Sequence, residues 1–245
     1  MLEAAAWGLL AGSFLVAGAV IGLVVLVPRQ VVALVMAFGA GALTSALAFD
    51  LTAEAFEQGG TAITAAGLAA GAVAFVGGDM LLQRPEHRRL RRAGEAPAPD
   101  KQHAAGPAIV LGALLDGVPE SVVLGSTLLG GAGVSASFMA AVIVANLPEG
   151  IAGTRHLADK GIRPSRIIAL WAGVALASSL AAGIGFELMG GMSATPVAVA
   201  QAFAAGAILA MLADTMFPDA FAEGGDAVGL ATVFGFAAAF FLSRA

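Results

Sequence analysis

Apolar residues run through this chain in long blocks, and the polar positions between the blocks are few. A helix of about 20 apolar residues matches the ~30 Å of hydrocarbon in a bilayer. Breakers stand at most of the block boundaries, including Pro28, Gly59, Gly60, Gly161 and Pro164. The pattern predicts eight spanning helices, at about 5–27, 31–55, 61–83, 106–128, 134–155, 167–189, 197–218 and 227–243.

Composition supports the same fold class. Hydrophobic residues make up 59% of the chain and charged residues only 12%, whereas a soluble domain carries about 25% charged residues. We therefore predict an all-α membrane protein. The N-terminal run, which has Glu3 and no basic n-region, is interpreted as a retained spanning helix and not as a signal peptide. Pairs of glycines four residues apart indicate close helix packing: Gly8/Gly12, Gly18/Gly22 and Gly67/Gly71.

The basic residues predict the orientation of the chain. Cytoplasmic loops are enriched in Lys and Arg, and eleven of the twelve basic residues fall in the first, third and fifth predicted loops. Only Arg244 lies on the other side. These loops are therefore expected in the cytoplasm and both termini outside, in a multi-pass protein of the cell (inner) membrane.

Residues 37–60 are repeated in residues 202–225, at an offset of 165 positions. Ala-Phe-Gly-Ala-Gly-Ala is matched by Ala-Phe-Ala-Ala-Gly-Ala, Glu54 by Asp219, and both segments end in Gly-Gly. Predicted helices two and seven cross the membrane in opposite directions, so the repeat is inverted, as in many secondary transporters. The expected organisation is 3+2+3: three helices in 1–83, a cytoplasmic loop in 84–105, a central pair in 106–157 and three helices in 158–245.

The central pair carries the candidate chemistry. Predicted helix four contains Asp116, Pro119 and Glu120, and predicted helix five contains Asn146, Pro148 and Glu149. Each proline leaves a carbonyl oxygen without its helical donor, and a carboxylate at this depth is costly and often functional. Predicted helix four has Asp116 and Glu120 on one face, since they are four residues apart, and predicted helix five has Asn146 and Glu149 on one face, since they are three apart. If these faces meet, they offer a divalent metal ion an oxygen-rich site. The alternative is that protonated carboxyl groups bond across the helices and the prolines only kink them.

Other acidic residues are predicted along a transport path. Asp50 and Glu54 stand near the outer end of predicted helix two, and Asp214 and Asp219 toward the inner end of predicted helix seven. His87, His103 and His156 fall in cytoplasmic loops or at their edges, where solvation is the simpler explanation. The sequence has no nucleotide loop, serine triad or nucleic-acid patch, so we expect neither an enzyme, nor a prosthetic cofactor, nor a nucleic-acid partner.

The chain resembles the ZIP (Zrt-/Irt-like) family of divalent-metal transporters. The resemblance rests on eight spans, external termini, a long cytoplasmic loop after helix three, the two Pro-Glu motifs, and the Asp-x-x-x-Pro-Asp pattern that ends at Asp219. It departs from the family in helix four, where Asp116 and Gly117 stand at the usual His and Asn, and in helix five, where Ala145 stands at the usual His. In helix six, Ala182 and Gly183 stand at the usual Glu and Pro. With these departures, the resemblance implies a metal site that has lost both imidazoles. Such a site should favour Mn²⁺ or Fe²⁺ over Zn²⁺, relative to a family member that has the histidines.

The expected function is therefore transport of a divalent metal cation, of the Zn, Mn or Fe class, toward the cytoplasm by alternating access. Two other classes stay open: a proton-coupled carrier of a small organic cation, and a membrane metal sensor that does not transport. The expected partners are the metal ion and the lipid bilayer, and a homodimer is left open.

Overall fold

The computed structural model describes the backbone of residues 1–93, 106–130 and 133–244, and the side chains of these residues apart from 82–93, 106–111, 115, 116 and 130. Within these ranges every regular element is helical. The α-helices are α1 (Leu2–Val24), α2 (Arg29–Ala46), α3 (Ala53–Ala93), α4 (Gly106–Thr127), α5 (Ala136–Asp159), α6 (Pro164–Gly190), α7 (Ala194–Met211), α8 (Phe217–Gly224) and α9 (Val228–Leu242). Two π-helical turns, Leu47–Thr52 and Leu212–Met216, follow α2 and α7, and two 3₁₀ turns, Leu128–Gly130 and Gly225–Ala227, follow α4 and α8.

Most of the helix ends coincide with predicted breaks, and the predicted break at Gly60 is a kink inside α3. Pro28 precedes α2, and Pro164 opens α6, where its missing N–H costs no helical bond. Gly60, Gly161 and Gly225 have φ angles of 71°, 72° and 65°, a region that L side chains rarely adopt. Local chemistry therefore fixes most of the boundaries.

Among the residues that the structure describes, five helical segments are long and apolar enough to cross a membrane: Leu2–Val24, Arg29–Leu81, Ala136–Asp159, Pro164–Gly190 and Ala194–Leu242. Two of them, of 53 and 49 residues, exceed one bilayer width. These two contain the left-handed residues Gly60 and Gly225, respectively. The division of the chain into eight spans stays a prediction.

The helices pack in two groups. The α1 group consists of α1, α4, α5 and α6, in which α1 lies against α5 and α6, and α4 lies mainly against α6. The α2 group consists of two pairs, α2 against α9 and α3 against α7, which meet through the two π-helical turns, and of α8, which lies against α2. The α3–α7 pair also touches α4 of the α1 group. The principal contact between the groups is α2 against α5. The two helices predicted as a separate central pair are thus members of one four-helix group.

Glycines set the closeness of these contacts. A Cβ added at Gly12 would overlap Ala175 of α6, and one added at Gly18 would overlap the Leu147 carbonyl of α5. Gly71 lies equally close to the Phe203 carbonyl of α7. The remaining members of the three predicted glycine pairs, Gly8, Gly22 and Gly67, also lie at helix contacts. Backbones that approach this closely gain dispersion energy that larger residues would block.

The α2 group contains local features that recur at the 165-residue offset. The two π-helical turns and the two left-handed glycines at 60 and 225 are related by it, within a residue at the ends of the turns. Gly41 lies against the Thr232 carbonyl and Gly206 against the Leu68 carbonyl. Matched stretches of the sequence therefore have matched backbone shapes.

Polar contacts distinguish the two ends of the bundle. At one end Arg29 pairs with Glu223 at 3.1 Å, and Arg155 donates to the Val27 carbonyl at 2.5 Å. We call this the arginine end. The opposite end, where Ser135 directly precedes α5, is called the serine end. There the Ser135 amide donates to the Thr127 hydroxyl at 3.3 Å.

Candidate functional site

Glu120 is the most deeply buried acidic residue among the side chains that the structure describes. Its side chain lies in α4 with 4% exposure, directly after Pro119, which stands inside the helix. The adjacent Ser121 is also buried, and its hydroxyl donates to the Gly117 carbonyl at 2.6 Å. Sequence and burial agree here, because the residue predicted to bind a cation is withdrawn from solvent.

The α5 motif lies against α1. Asn146 is 5% exposed, and its Nδ2 donates to the Ala11 carbonyl of α1 at 2.9 Å. Pro148 is buried inside α5, and Glu149 is half-buried. Because α1 holds the nitrogen end of the Asn146 amide, Oδ1 is the end that is suited to a cation. Proline lacks an N–H, so the Val144 carbonyl has no donor at position 148.

The mutual arrangement of the four predicted ligands is described only in part. Asp116 lies in α4, but its side chain is outside the described residues. The helices α4 and α5 touch each other at few positions, because α4 packs mainly on α6 and α5 packs mainly on α1. Among the side chains that the structure describes, no three His, Cys, Asp or Glu residues lie close enough together to hold a metal ion. The four-ligand site that includes Asp116 therefore stays a prediction.

The predicted acidic pair near the start of α3 is occupied by protein contacts. Asp50 lies half-buried in the first π-helical turn, and its Oδ2 accepts from the Ser135 hydroxyl at 3.0 Å and from the Ser137 hydroxyl. Glu54 accepts from Gln58 Nε2 at 2.9 Å, one turn further along α3. Asp50 therefore connects α2 to the start of α5.

The second acidic pair is more open. Asp214, in the second π-helical turn, and Asp219, in α8, are both exposed. The residue that matches Asp50 at the 165-residue offset is Thr215, whose hydroxyl donates to the Met211 carbonyl within its own helix. The two predicted acidic pairs are therefore not equivalent in their contacts.

Several polar residues in the described structure were not predicted. Ser135 caps α5 by accepting from the Phe138 amide at 3.2 Å, a role that a serine before an apolar run could have indicated. Its contact with Asp50 could not be read from the sequence, because 85 positions separate the two residues. Three buried polar atoms within the described part of the chain have no hydrogen-bond partner: Thr154 Oγ1, Trp171 Nε1 and Gln201 Oε1.

Of the three histidines, only His156 has a side chain within the described part of the structure, and it belongs to no cluster of three metal-ligating residues there. His156 lies half-buried in the last turn of α5. The side chains of His87 and His103 are outside the described residues.

Neither comparison with known proteins assigns the chain to a family. No model of a known protein family matches it, and no curated protein matches it.

Proposed function

We propose that the protein is a carrier of divalent metal cations of the ZIP type, with a carboxylate-rich site between α4 and α5. The observation that carries the proposal is the burial of Glu120 beside Pro119 in α4. A carboxylate in the interior of a membrane bundle is costly to ionise and is commonly found on ion paths. Asn146, with equally low exposure in α5, adds an amide to the same candidate site.

Charge supports a cation as the substrate. The sequence has no Lys or Arg between Lys101 and Arg155, and none between Arg29 and Arg84 or between Arg166 and Arg244. The predicted spans therefore carry few positive side chains, and Arg155, at the end of predicted helix five, donates to the Val27 carbonyl. Carboxylate and amide oxygens favour Mn²⁺ and Fe²⁺ more than a site with imidazoles does.

Eight spans with external termini are part of the proposal. Dividing each of the two long apolar segments at its left-handed glycine gives two spans, and α4 supplies one more. The contacts at the arginine end join the chain near the α1–α2 junction to the ends of α5 and α8. This arrangement fits chain crossings in alternate directions, with the arginine end in the cytoplasm of an inner-membrane protein.

Alternating access follows from the two helix groups. The α1 group holds Glu120, Asn146 and Glu149, and the α2 group presents α2 to it. Movement of one group against the other opens the site to one side at a time. The repeated features of the α2 group support an inverted repeat, since such repeats give two related conformations.

Uptake by proteoliposomes tests this function. Glu120→Gln and Glu149→Gln remove a negative charge with little change in shape, and each should abolish uptake of Mn²⁺. The matched control is Glu187→Gln, because Glu187 lies exposed on α6 and should leave uptake unchanged. Full uptake by both site variants excludes the assignment. Competition among Mn²⁺, Fe²⁺, Zn²⁺, Cd²⁺, Co²⁺ and Mg²⁺ then identifies the ion.

The same preparation separates the other two functional classes. Uptake of an organic cation in metal-free buffer, driven by a pH gradient, supports the proton-coupled carrier. Mn²⁺ binding by the purified protein without flux supports the sensor. Either result, with no metal uptake by the wild-type protein, replaces the metal-carrier proposal.

A further inference from the structure

Asp50 forms a polar contact across the boundary between the two helix groups. Its Oδ2 accepts from the Ser135 hydroxyl at 3.0 Å and from the Ser137 hydroxyl, and these two hydroxyl groups lie 3.0 Å from each other. Asp50 belongs to the π-helical turn after α2, whereas both serines lie at the start of α5. We call these three residues the serine latch.

The serine latch is placed to hold the serine end shut. The principal contact between the groups is α2 against α5, and the latch joins the end of α2 to the beginning of α5. Ser135 also caps α5, so the carboxylate lies near the positive end of the α5 dipole. Hydrogen bonds to an ionised carboxylate are stronger than bonds between neutral groups.

The corresponding position toward the arginine end has no such contact with α5. At the 165-residue offset Thr215 replaces Asp50, and its hydroxyl bonds to the Met211 carbonyl of its own helix. The neighbouring Asp214 is exposed. One π-helical turn is therefore bound to the other helix group by a charged contact, whereas the matched residue of the second turn is bonded within its own helix.

We propose that the serine latch is a gate. With the latch formed, α2 stays against α5 and the serine end is closed; when Asp50 releases the serines, the two groups separate at that end. The described structure is the state with the gate closed. Because the latch lies at the serine end, its loss shifts the population toward the state that is open at that end.

Thiol labelling tests the gate without any transported ion. The sequence has no cysteine, so a single reporter can be introduced by Met139→Cys. Met139 lies one turn after Ser135, is 6% exposed and packs in the core cluster that contains the inner face of α2. The full chain in proteoliposomes is labelled with a membrane-impermeant maleimide, and the rate of labelling measures opening at the serine end.

The latch variants are Asp50→Asn and Ser137→Ala, each in the Met139→Cys background. Ser137→Ala leaves the Ser135 cap of α5 in place, so it remains informative if Asp50→Asn does not fold. We expect each variant to raise the labelling rate about tenfold, as the loss of a charge-assisted bond implies. The matched control, Thr215→Ala, should label at the parental rate. Parental rates in folded latch variants overturn the proposal.

A cysteine pair provides the opposite test. In the chain that carries Asp50→Cys and Ser137→Cys and no reporter, oxidation should close the gate covalently and stop Mn²⁺ uptake, and reduction should restore it. Uptake that continues after complete oxidation contradicts the gate. This second test rests on the proposed function, whereas the labelling test does not. A wild-type protein without uptake therefore removes the metal carrier and leaves the gate to be decided by labelling.

Discussion

The two π-helical turns have similar backbones but different surroundings. Each interrupts a long apolar segment, and each is followed within about two turns of helix by a left-handed glycine, Gly60 at a kink inside α3 and Gly225 after α8. In the first turn, Asp50 bonds to serines of α5, and Phe49 makes edge contacts with Phe236 and Phe240 of α9 at centroid distances of 6.0 and 4.9 Å. In the second turn, Asp214 is exposed at the position that matches Phe49.

The two turns share their backbone path, whereas their side-chain contacts differ. The glycines at 41 and 206 and the breaks at 60 and 225 define the shared backbone path. The side chains at 49, 50, 214 and 215 differ in their contacts although the backbone path is shared. Two segments can therefore have matched backbones while one of them, the first turn, is held to the α1 group by additional hydrogen bonds.

Matched glycine substitutions test the shared backbone path and should have the largest effect. Gly41→Val would overlap the Thr232 carbonyl, and Gly206→Val would overlap the Leu68 carbonyl. We expect each to lower the free energy of unfolding by about 1–3 kcal/mol, measured by SDS titration in mixed micelles. Gly229→Val is the control, since nothing lies within 4 Å of its added Cβ. A cost in one half only would show that the two contacts are not equivalent.

The left-handed glycines test the matched breaks. Gly60 and Gly225 have φ angles of 71° and 65°, so Gly60→Ala and Gly225→Ala should each cost about 1–2 kcal/mol of unfolding free energy. Gly173→Ala should have the opposite sign, because Gly173 lies inside α6 with open space around it. The same titration measures all three variants. Equal stability of the wild type and both break variants would mean that these angles are not required.

The aromatic contact tests the asymmetry directly. Phe49→Ala removes two edge contacts with α9 and should cost about 1 kcal/mol. The side chain is 39% exposed, which limits the loss. Asp214→Ala, at the matched position, should change the unfolding free energy by less than about 0.5 kcal/mol. Similar losses from both variants would remove the distinction between the turns.

The ion pair at the arginine end should have the smallest effect. Arg29 and Glu223 are 71% and 38% exposed in their side chains, so solvent screens their attraction. Arg29→Ala should cost less than about 1 kcal/mol, and less still at high salt. Thermal unfolding at two ionic strengths checks this. A larger loss that salt does not reduce would indicate packing by the arginine stem.

The helix boundaries followed from local rules. Prolines lack a donor and glycines tolerate positive φ, so Pro28, Pro164 and Gly225 lie at helix ends in the structure as they do in the sequence pattern, and Gly60 kinks α3. The predicted glycine pairs also lie at helix contacts. The burial of Glu120 and Asn146 agrees with their positions near the middle of apolar blocks.

Partners across the fold could not be predicted in the same way. The sequence indicated that α4 and α5 carry related motifs, but not that α4 packs chiefly on α6 and that α5 packs on α1 and α2. It also grouped Asp50, Glu54, Asp214 and Asp219 as similar residues, although their contacts differ. Pairing depends on the rotation of each helix about its axis, and an apolar block with small residues on every side does not specify that rotation.

The sequence alone determined an all-helical chain of apolar segments, the places where those segments break, and the position of Glu120 in the interior of one of them. These features follow from hydropathy, proline and glycine, which act over a few neighbouring residues. Tertiary structure decided which helices form each group and that the Asp50 carboxylate meets α5 serines 85 and 87 positions away. Such contacts arise only when distant helices pack, because their geometry belongs to the whole bundle.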